Sequence, residues 1–113
     1  MQEQDRRASF GAIIASFAFG PQRDAIAFPT TPKVAIAANT DSSSLSNFTL
    51  SIQNTDPGSN AGVPGIQIPI ALGAASKLPI GLELDGPSGS DRRLLAIGVA
   101  LDDIFGRLPP PAR

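Results

Sequence analysis

The spacing of large apolar residues predicts a helix at the start of the chain. These residues recur at intervals of three or four: Phe10, Ile13, Ile14 and Phe17. Such spacing places them on one face of an amphipathic helix. Gly20 and Pro21 are typical helix-ending residues, so the helix is expected within residues 1–20.

A short apolar run from Ala25 to Phe28 follows and stops at Pro29. Because proline cannot donate a hydrogen bond to a strand ladder, the pattern predicts a buried strand that leaves its sheet within residues 24–32. Thr30 and Thr31 then lie at the end of the strand, where ligand sites gather in open α/β sheets. They are candidate pocket residues. The alternative is that their hydroxyls only bond nearby turn amides.

Residues 33–64 are predicted to be a loop with short helices. A polar run separates the apolar residues near Lys33 from a helix expected over Leu45 to Gln53. Asp56 is the expected N-cap of a second, very short helix that starts with Pro57. Gly62 is expected to end that helix.

Residues 65–85 are predicted to form an antiparallel hairpin. Its strands are Gly65 to Leu72 and Leu78 to Asp85, and the glycine-containing link is short enough for a direct turn. Pro69 and Pro79 have no backbone N–H to donate to the strand ladder, and Gly81 is typical of a bulge or a close backbone approach. The hairpin is therefore expected to be irregular.

A closing helix is predicted over residues 90–106, with Ser90 as N-cap, Gly106 as the stop and residues 107–113 as an extended tail. Arg92 and Arg93 are expected to pair with Asp85, Asp91 or another acidic group nearby. The apolar positions that should form the buried stripe of this helix are Leu94, Ile97, Leu101, Ile104 and Phe105.

Together these elements predict an α/β fold in which helix, buried strand, helical connector, irregular hairpin and closing helix form part of a larger mixed sheet. Residues 1–113 are expected to be a single partial domain. Left alone, such a piece should expose a sheet edge and an apolar patch.

Composition narrows the chemistry. The chain has 113 residues, a formal net charge of −1, six Phe, and no His, Cys, Trp or Tyr. The absence of His and Cys excludes disulfides, thiolate nucleophiles and the usual zinc ligands, and leaves Ser, Thr, Lys and carboxylate chemistry. The near-neutral charge and scarce aromatic residues argue against nucleic acid as a partner. No metal or other cofactor is expected.

The N-terminus also resembles an export signal. Arg6 and Arg7 precede the apolar stretch, and residues 25–27 resemble a small-residue cleavage site. However, Arg23 and Asp24 place charge where a leader is normally uncharged. A structural helix in a cytoplasmic protein is therefore the main interpretation and export the alternative. The stretch is too short to span a membrane.

Neither serine-containing motif predicts a catalytic centre. Ser42 to Ser44 follow Lys33 closely, but no glycines surround these serines to shape an oxyanion hole. The segment from Gly86 to Ser90 resembles a nucleophile elbow, yet it lacks the final glycine and the chain has no histidine. No catalytic residue is expected in this chain.

Two segments carry a family resemblance. NTDPGSNAGVPGIQIPIALGAASKLPIGLELDGPSGSDRRLL, from Asn54 to Leu95, resembles the closing segment of amidase-signature hydrolases, and DAIAFPTTP, from Asp24 to Pro32, precedes it in the family's order. The similarity is greatest to the mandelamide and indoleacetamide hydrolase branch. The resemblance implies an amide hydrolase fold and a lysine, a bridging serine and a nucleophilic serine upstream of the segment that this chain matches. Nothing in this chain matches that triad.

The resemblance also implies that Thr30, Thr31, Asn54, Thr55 and Asn60 lie near the substrate pocket. The alternative for Asn54, Thr55 and Asn60 is that they only bond neighbouring backbone groups at a helix junction.

Two classes of function remain open. The first is a C-terminal component or fragment of an amidase, inactive alone, which supplies scaffold and part of the acyl pocket. Its partner would be the missing N-terminal portion, or another copy through the exposed sheet, and a small amide would bind only in the complete enzyme. The second is a small non-catalytic binding or structural domain, with export as a variant. Neither class requires nucleic acid or a membrane.

Overall fold

The computed structural model describes residues 23–110. The helix predicted within residues 1–20 and the last residues of the predicted tail lie outside this range. Within it, helices accompany one three-stranded antiparallel sheet, which agrees with the expected combination of helices and strands. The elements are β1 (Ile26–Pro29), a 3-10 turn (Thr40–Ser43), α1 (Leu45–Ile52), α2 (Asp56–Ala61), β2 (Gly65–Leu72), β3 (Pro79–Asp85) and α3 (Asp91–Phe105).

Strands β2 and β3 form the predicted irregular hairpin. They pair antiparallel, from Gly65 opposite Asp85 to Leu72 opposite Pro79. The register shifts between Pro69 and Ala71, so β2 uses one more residue than β3 over this stretch. Pro69 thus lies beside the bulge and Pro79 lies in the last pair of the ladder. At these positions a missing backbone N–H disturbs the ladder least. Strand β3 begins one residue later than expected.

Strand β1 pairs antiparallel with β3, which gives the strand order β1-β3-β2. It runs from Ile26 to Pro29, one residue later than expected. The expectation of a buried strand is wrong for the described residues, because β1 lies at the edge of the sheet. Ala27 and Pro29 are exposed, while Ile26 and Phe28 are half-buried.

The core lies between the hairpin and α3. Ile68 and Leu84 of the hairpin are buried. Leu94 of α3 packs against them and is only 1% exposed. Side chains of a strand alternate between the two faces of a sheet, so Leu84 points toward α3 and its neighbours Glu83 and Asp85 point to the opposite face. The partly buried side chains around this core are Ala25, Ile66, Ile70, Ile97 and Leu101.

The buried stripe predicted for α3 is only partly correct. Leu94, Ile97 and Leu101 pack on the core, but Ile104 and Phe105 in the last turn are exposed. No described element covers that turn. The outer face of α3 also presents Leu95 and Val99 to solvent.

One local expectation in α2 needs correction. Helix α2 begins at Asp56, with Thr55 rather than Asp56 at the N-cap position and no capping bond from its side chain. Its end is as expected, because Gly62 adopts a left-handed conformation with φ of 70°. Of the acidic groups proposed for the two arginines, a nearby one, Asp24, pairs with the side chain of Arg93 at 2.5 Å.

Ser90 occupies the predicted N-cap position of α3 but does not cap with its side chain. Its hydroxyl donates to the carbonyl oxygen of Pro87 at 2.6 Å, and its own carbonyl accepts the first helical bond from Leu94. Among the helices of residues 23–110, none is both long and apolar enough to cross a membrane.

Candidate functional site

A cavity of about 470 Å³ opens between the turn after β1, helix α1 and the middle of the hairpin. Apolar side chains from all three parts enclose it, and polar groups from the turn and from β2 reach into it. Its lining residues include Thr30, Thr31, Val34, Ile36, Leu50 and Gln67. This mixture of apolar wall and few polar groups is typical of a site for a small organic ligand.

Three hydrogen bonds hold the turn at the cavity entrance. The backbone N–H of Thr30 donates to the carbonyl oxygen of Gly81 at 3.1 Å. The side-chain amide of Asn54 donates to the carbonyl oxygen of Pro29 at 2.8 Å. The hydroxyl of Thr31 donates to the carbonyl oxygen of Lys33 at 2.7 Å. The turn is therefore attached both to β3 and to the junction between α1 and α2.

The hydroxyl of Thr30 is an enclosed polar group of this site without a hydrogen-bond partner. Its Oγ1 is enclosed and makes no hydrogen bond to any described atom. It lies beside Gly81, where an added Cβ would be 2.8 Å from Oγ1 and would also collide with the amide of Gln67. Enclosed polar atoms are almost always paired, so this hydroxyl is an exception within residues 23–110.

Two carboxyl groups continue the polar face beyond the cavity. Glu83 and Asp85 lie on the same face of β3, and Glu83 is paired across the ladder with Gln67. Asp85 is only 6% exposed. Gly58 of α2 and Gly65 of β2 lie against its carboxylate, and an added Cβ at either glycine would collide with it.

Burial controls the protonation of this pair. It raises the pKa of the Asp85 carboxyl above its ordinary value. Burial is also the main reason why the pKa of Glu83 is raised, and the negative charge of Asp85 raises it further. The Thr30 hydroxyl lies close enough to lower the Glu83 pKa in part, although the two groups do not reach hydrogen-bond geometry.

The residues expected near a pocket divide into two groups. Thr30 and Thr31 line the cavity, and Asn54 supports its entrance through Pro29. The side chains of Thr55 and Asn60 instead bond within their own helical segments, to the carbonyl oxygens of Ile52 and Asp56.

Gln67, Glu83 and Asp85 were not among the expected site residues. Alternation within β2 and β3 places all three opposite the core face, and this was the available signal. No group of three or more metal-ligating side chains occurs in residues 23–110.

The family model for amidases, described as "Amidase", matches residues 1–95. The chain is 46% identical over 104 residues to a mandelamide hydrolase of Pseudomonas putida, a match that covers 89% of this chain and 20% of that protein. It is 48% identical over 89 residues to an indoleacetamide hydrolase of Rhizobium radiobacter, covering 74% of this chain and 19% of the relative.

A comparison with solved structures also points to amidases. The fold is similar to that of a crystallised amidase, with a TM-score of 0.71 and 28% identity over 94% of this chain and 26% of that one. The chain spans about a fifth of the length of the curated relatives it matches.

Proposed function

Because the chain belongs to the amidase family, we propose that it acts as the C-terminal component of an amide-hydrolysing enzyme and forms one wall of its acyl pocket. The observation that carries this proposal is the cavity beside the Thr30 turn. It combines an apolar lining with an unpartnered hydroxyl, in a chain of which 89% aligns with a mandelamide hydrolase.

In this proposal the chain binds and orients the substrate but does not attack it. The apolar lining holds the acyl group, and the Thr30 hydroxyl bonds a polar substituent or the amide itself. The nucleophile and its lysine come from the portion of the enzyme that this chain does not contain, as the resemblance to amidase-signature hydrolases implies. A small carboxylic amide of the mandelamide or indoleacetamide type is the proposed substrate class.

The proposed partner is therefore the rest of an amidase. Support comes from the apolar side chains that α3 leaves exposed and from the outer edge of β1, since both surfaces are the kind that a larger fold covers. In the absence of that partner, a second copy of the chain would take its place through the sheet edge.

A cytoplasmic location is part of the same proposal. Cleavage after Ala27, as in an exported form, would remove Ile26 and Ala27 and with them half of β1. Residues that pair with β3 are needed in the folded chain. A mature protein that begins at Phe28, found by N-terminal sequencing, would contradict the proposal.

Reconstitution tests the proposed function. The purified chain alone should not hydrolyse mandelamide or indoleacetamide. Mixed with the part of the Pseudomonas putida mandelamide hydrolase that it does not cover, it should restore turnover. Thr30→Val should then raise KM or lower kcat, whereas Thr49→Val, whose hydroxyl only bonds its own helix, should not.

Two results would contradict the proposal. The first is turnover by the chain alone. If Ser59→Ala with Ser88→Ala abolished it, these serines would have a catalytic role that the proposal denies. The second is a stable complex that hydrolyses neither mandelamide nor indoleacetamide.

A further inference from the structure

The sheet face opposite the core contains a charged side chain for which the described residues provide no counterpart. Asp85 is 6% exposed and makes no hydrogen bond or ion pair within residues 23–110. Arg93, for which Asp85 was one of several candidate partners, pairs with Asp24. A largely buried carboxylate without a donor is costly, so a donor from outside the described residues would stabilise this position.

Two glycines lie against the carboxylate of Asp85. An added Cβ at Gly58 of α2 would collide with its Oδ2. Its Oδ1 points toward Gly65, where an added Cβ would lie 2.6 Å from Oδ1 of Asp85 and 2.9 Å from Oε1 of Glu83. Two carboxylate oxygens thus converge over one exposed glycine. A donor can enter there because Gly65 has no side chain.

The convergence favours one kind of donor. Two oxygens from different carboxyl groups are matched by a group that presents several N–H donors in a plane, which is the property of a guanidinium. Guanidinium is also more weakly hydrated than an ammonium, so it loses less hydration on entering a buried position.

We propose that Asp85 and Glu83 form the acidic half of a buried ion pair, and that its basic half is an arginine side chain of the polypeptide that completes the amidase. The inference rests on the proposed function, because it assumes that such a portion covers this face. The length of the relatives supports it, since the chain spans a fifth of them. Within the complete enzyme the pair would fix the position of β3 beside the cavity.

A titration of the isolated chain tests the site. Methylguanidinium is added to ¹³C-labelled protein at pH 7.5, with NaCl at matched ionic strength as the reference, and the carboxyl carbon shifts are followed by NMR. Saturable shifts are expected at Asp85 and Glu83. Asp85→Asn and Gly65→Ala, which fills the entrance, should each weaken binding by at least about tenfold. Asp103→Asn, an exposed change of equal charge, should leave it unchanged.

Three outcomes would overturn the proposal: no saturable shift, equal binding by Asp85→Asn, or tighter binding of methylammonium or Mg²⁺ than of methylguanidinium. The last would assign the site to a lysine or a metal ion. The titration requires neither turnover nor a partner polypeptide, so its failure is distinguishable from failure of the reconstituted enzyme.

Assembly gives a second test. Binding to the uncovered part of the Pseudomonas putida mandelamide hydrolase is measured by calorimetry. Asp85→Asn should weaken this complex by at least about tenfold relative to Asp103→Asn. An unchanged affinity would overturn the ion pair.

Discussion

Asn54 donates a hydrogen bond of 2.8 Å to the carbonyl oxygen of Pro29, and so connects the helix junction to the end of β1 across a separation of 25 residues. The bond closes one side of the cavity, because Pro29 directly precedes Thr30 and Thr31.

Removal of this bond should loosen the cavity entrance. We expect Asn54→Ala to lower the free energy of unfolding by about 0.5 to 1.5 kcal/mol and to speed amide exchange at Thr30 and Thr31. Urea denaturation and hydrogen exchange measure the two effects. Asn60→Ala is the matched control, since its amide bonds only within α2. Equal exchange rates at Thr30 in both variants would contradict the assigned role.

The buried carboxyl pair should make stability depend on pH. The pKa values of Asp85 and Glu83 are raised in the folded chain, so the folded state binds protons more tightly than the unfolded state. Their contribution is complete below the ordinary values of 3.8 and 4.5 and is lost as the pH rises through the raised values. The isolated chain should therefore lose stability over that range.

Asp85→Asn should reduce this dependence. The variant should also be more stable than the parent near neutral pH, by about 1 to 3 kcal/mol, because a charged group no longer lacks a donor. Thermal unfolding between pH 3.5 and 8 measures both effects, with Asp103→Asn as the control. A parent chain that gains stability with rising pH in the window of these two carboxyls would refute this account.

The contact between α3 and the hairpin should dominate stability. Leu94 is 1% exposed and its neighbour Leu95 is 61% exposed. We expect Leu94→Ala to cost about 2 to 5 kcal/mol, because it removes buried methyl groups and leaves a cavity. Leu95→Ala should change the free energy of unfolding by less than about 0.5 kcal/mol. Similar costs for the two variants in urea would mean that α3 packs in another orientation.

The isolated chain should self-associate through its sheet edge. Sedimentation velocity over a hundredfold range of concentration should show larger species at the upper end. Ala27→Lys places a charge on the exposed edge of β1 and should abolish them. Leu95→Lys, on the outer face of α3, is the comparison. If only Leu95→Lys restored a monomer, the helix face would be the contact and the edge interpretation would be wrong.

The hairpin and α3 were predictable because their signals are local. Alternating isoleucines mark β2, leucines mark β3, and helical spacing places Leu94, Ile97 and Leu101 on one face. The exposure of Ile104 and Phe105 was not predictable, because the same spacing holds whether or not another element covers the last turn.

The site was harder to predict than the fold. The proline-threonine turn could be located from the end of an apolar run, but its neighbours come from distant segments. Gln67 reaches the cavity only because β1 and β2 lie on either side of β3. The spacing of residues in the sequence does not reveal this strand order. That Asp85 lacks a donor among the described residues could not be predicted either, because the sequence left Arg93 several acidic groups to pair with.

The bulge in β2 divides the strand into two parts that respond differently to a change in chain length. Ile70 is the residue between the two registers, with Pro69 opposite Gly81 and Ala71 opposite Ile80. Loss of one residue before Pro69 would turn Ile66 and Ile68 from the core toward the polar face. Loss of Ile70 would keep the residues from Gly65 to Pro69 in register with β3 and remove one side chain that packs against the core. A change of length at the bulge therefore leaves the carboxyl pair opposite Gly65 and Gln67.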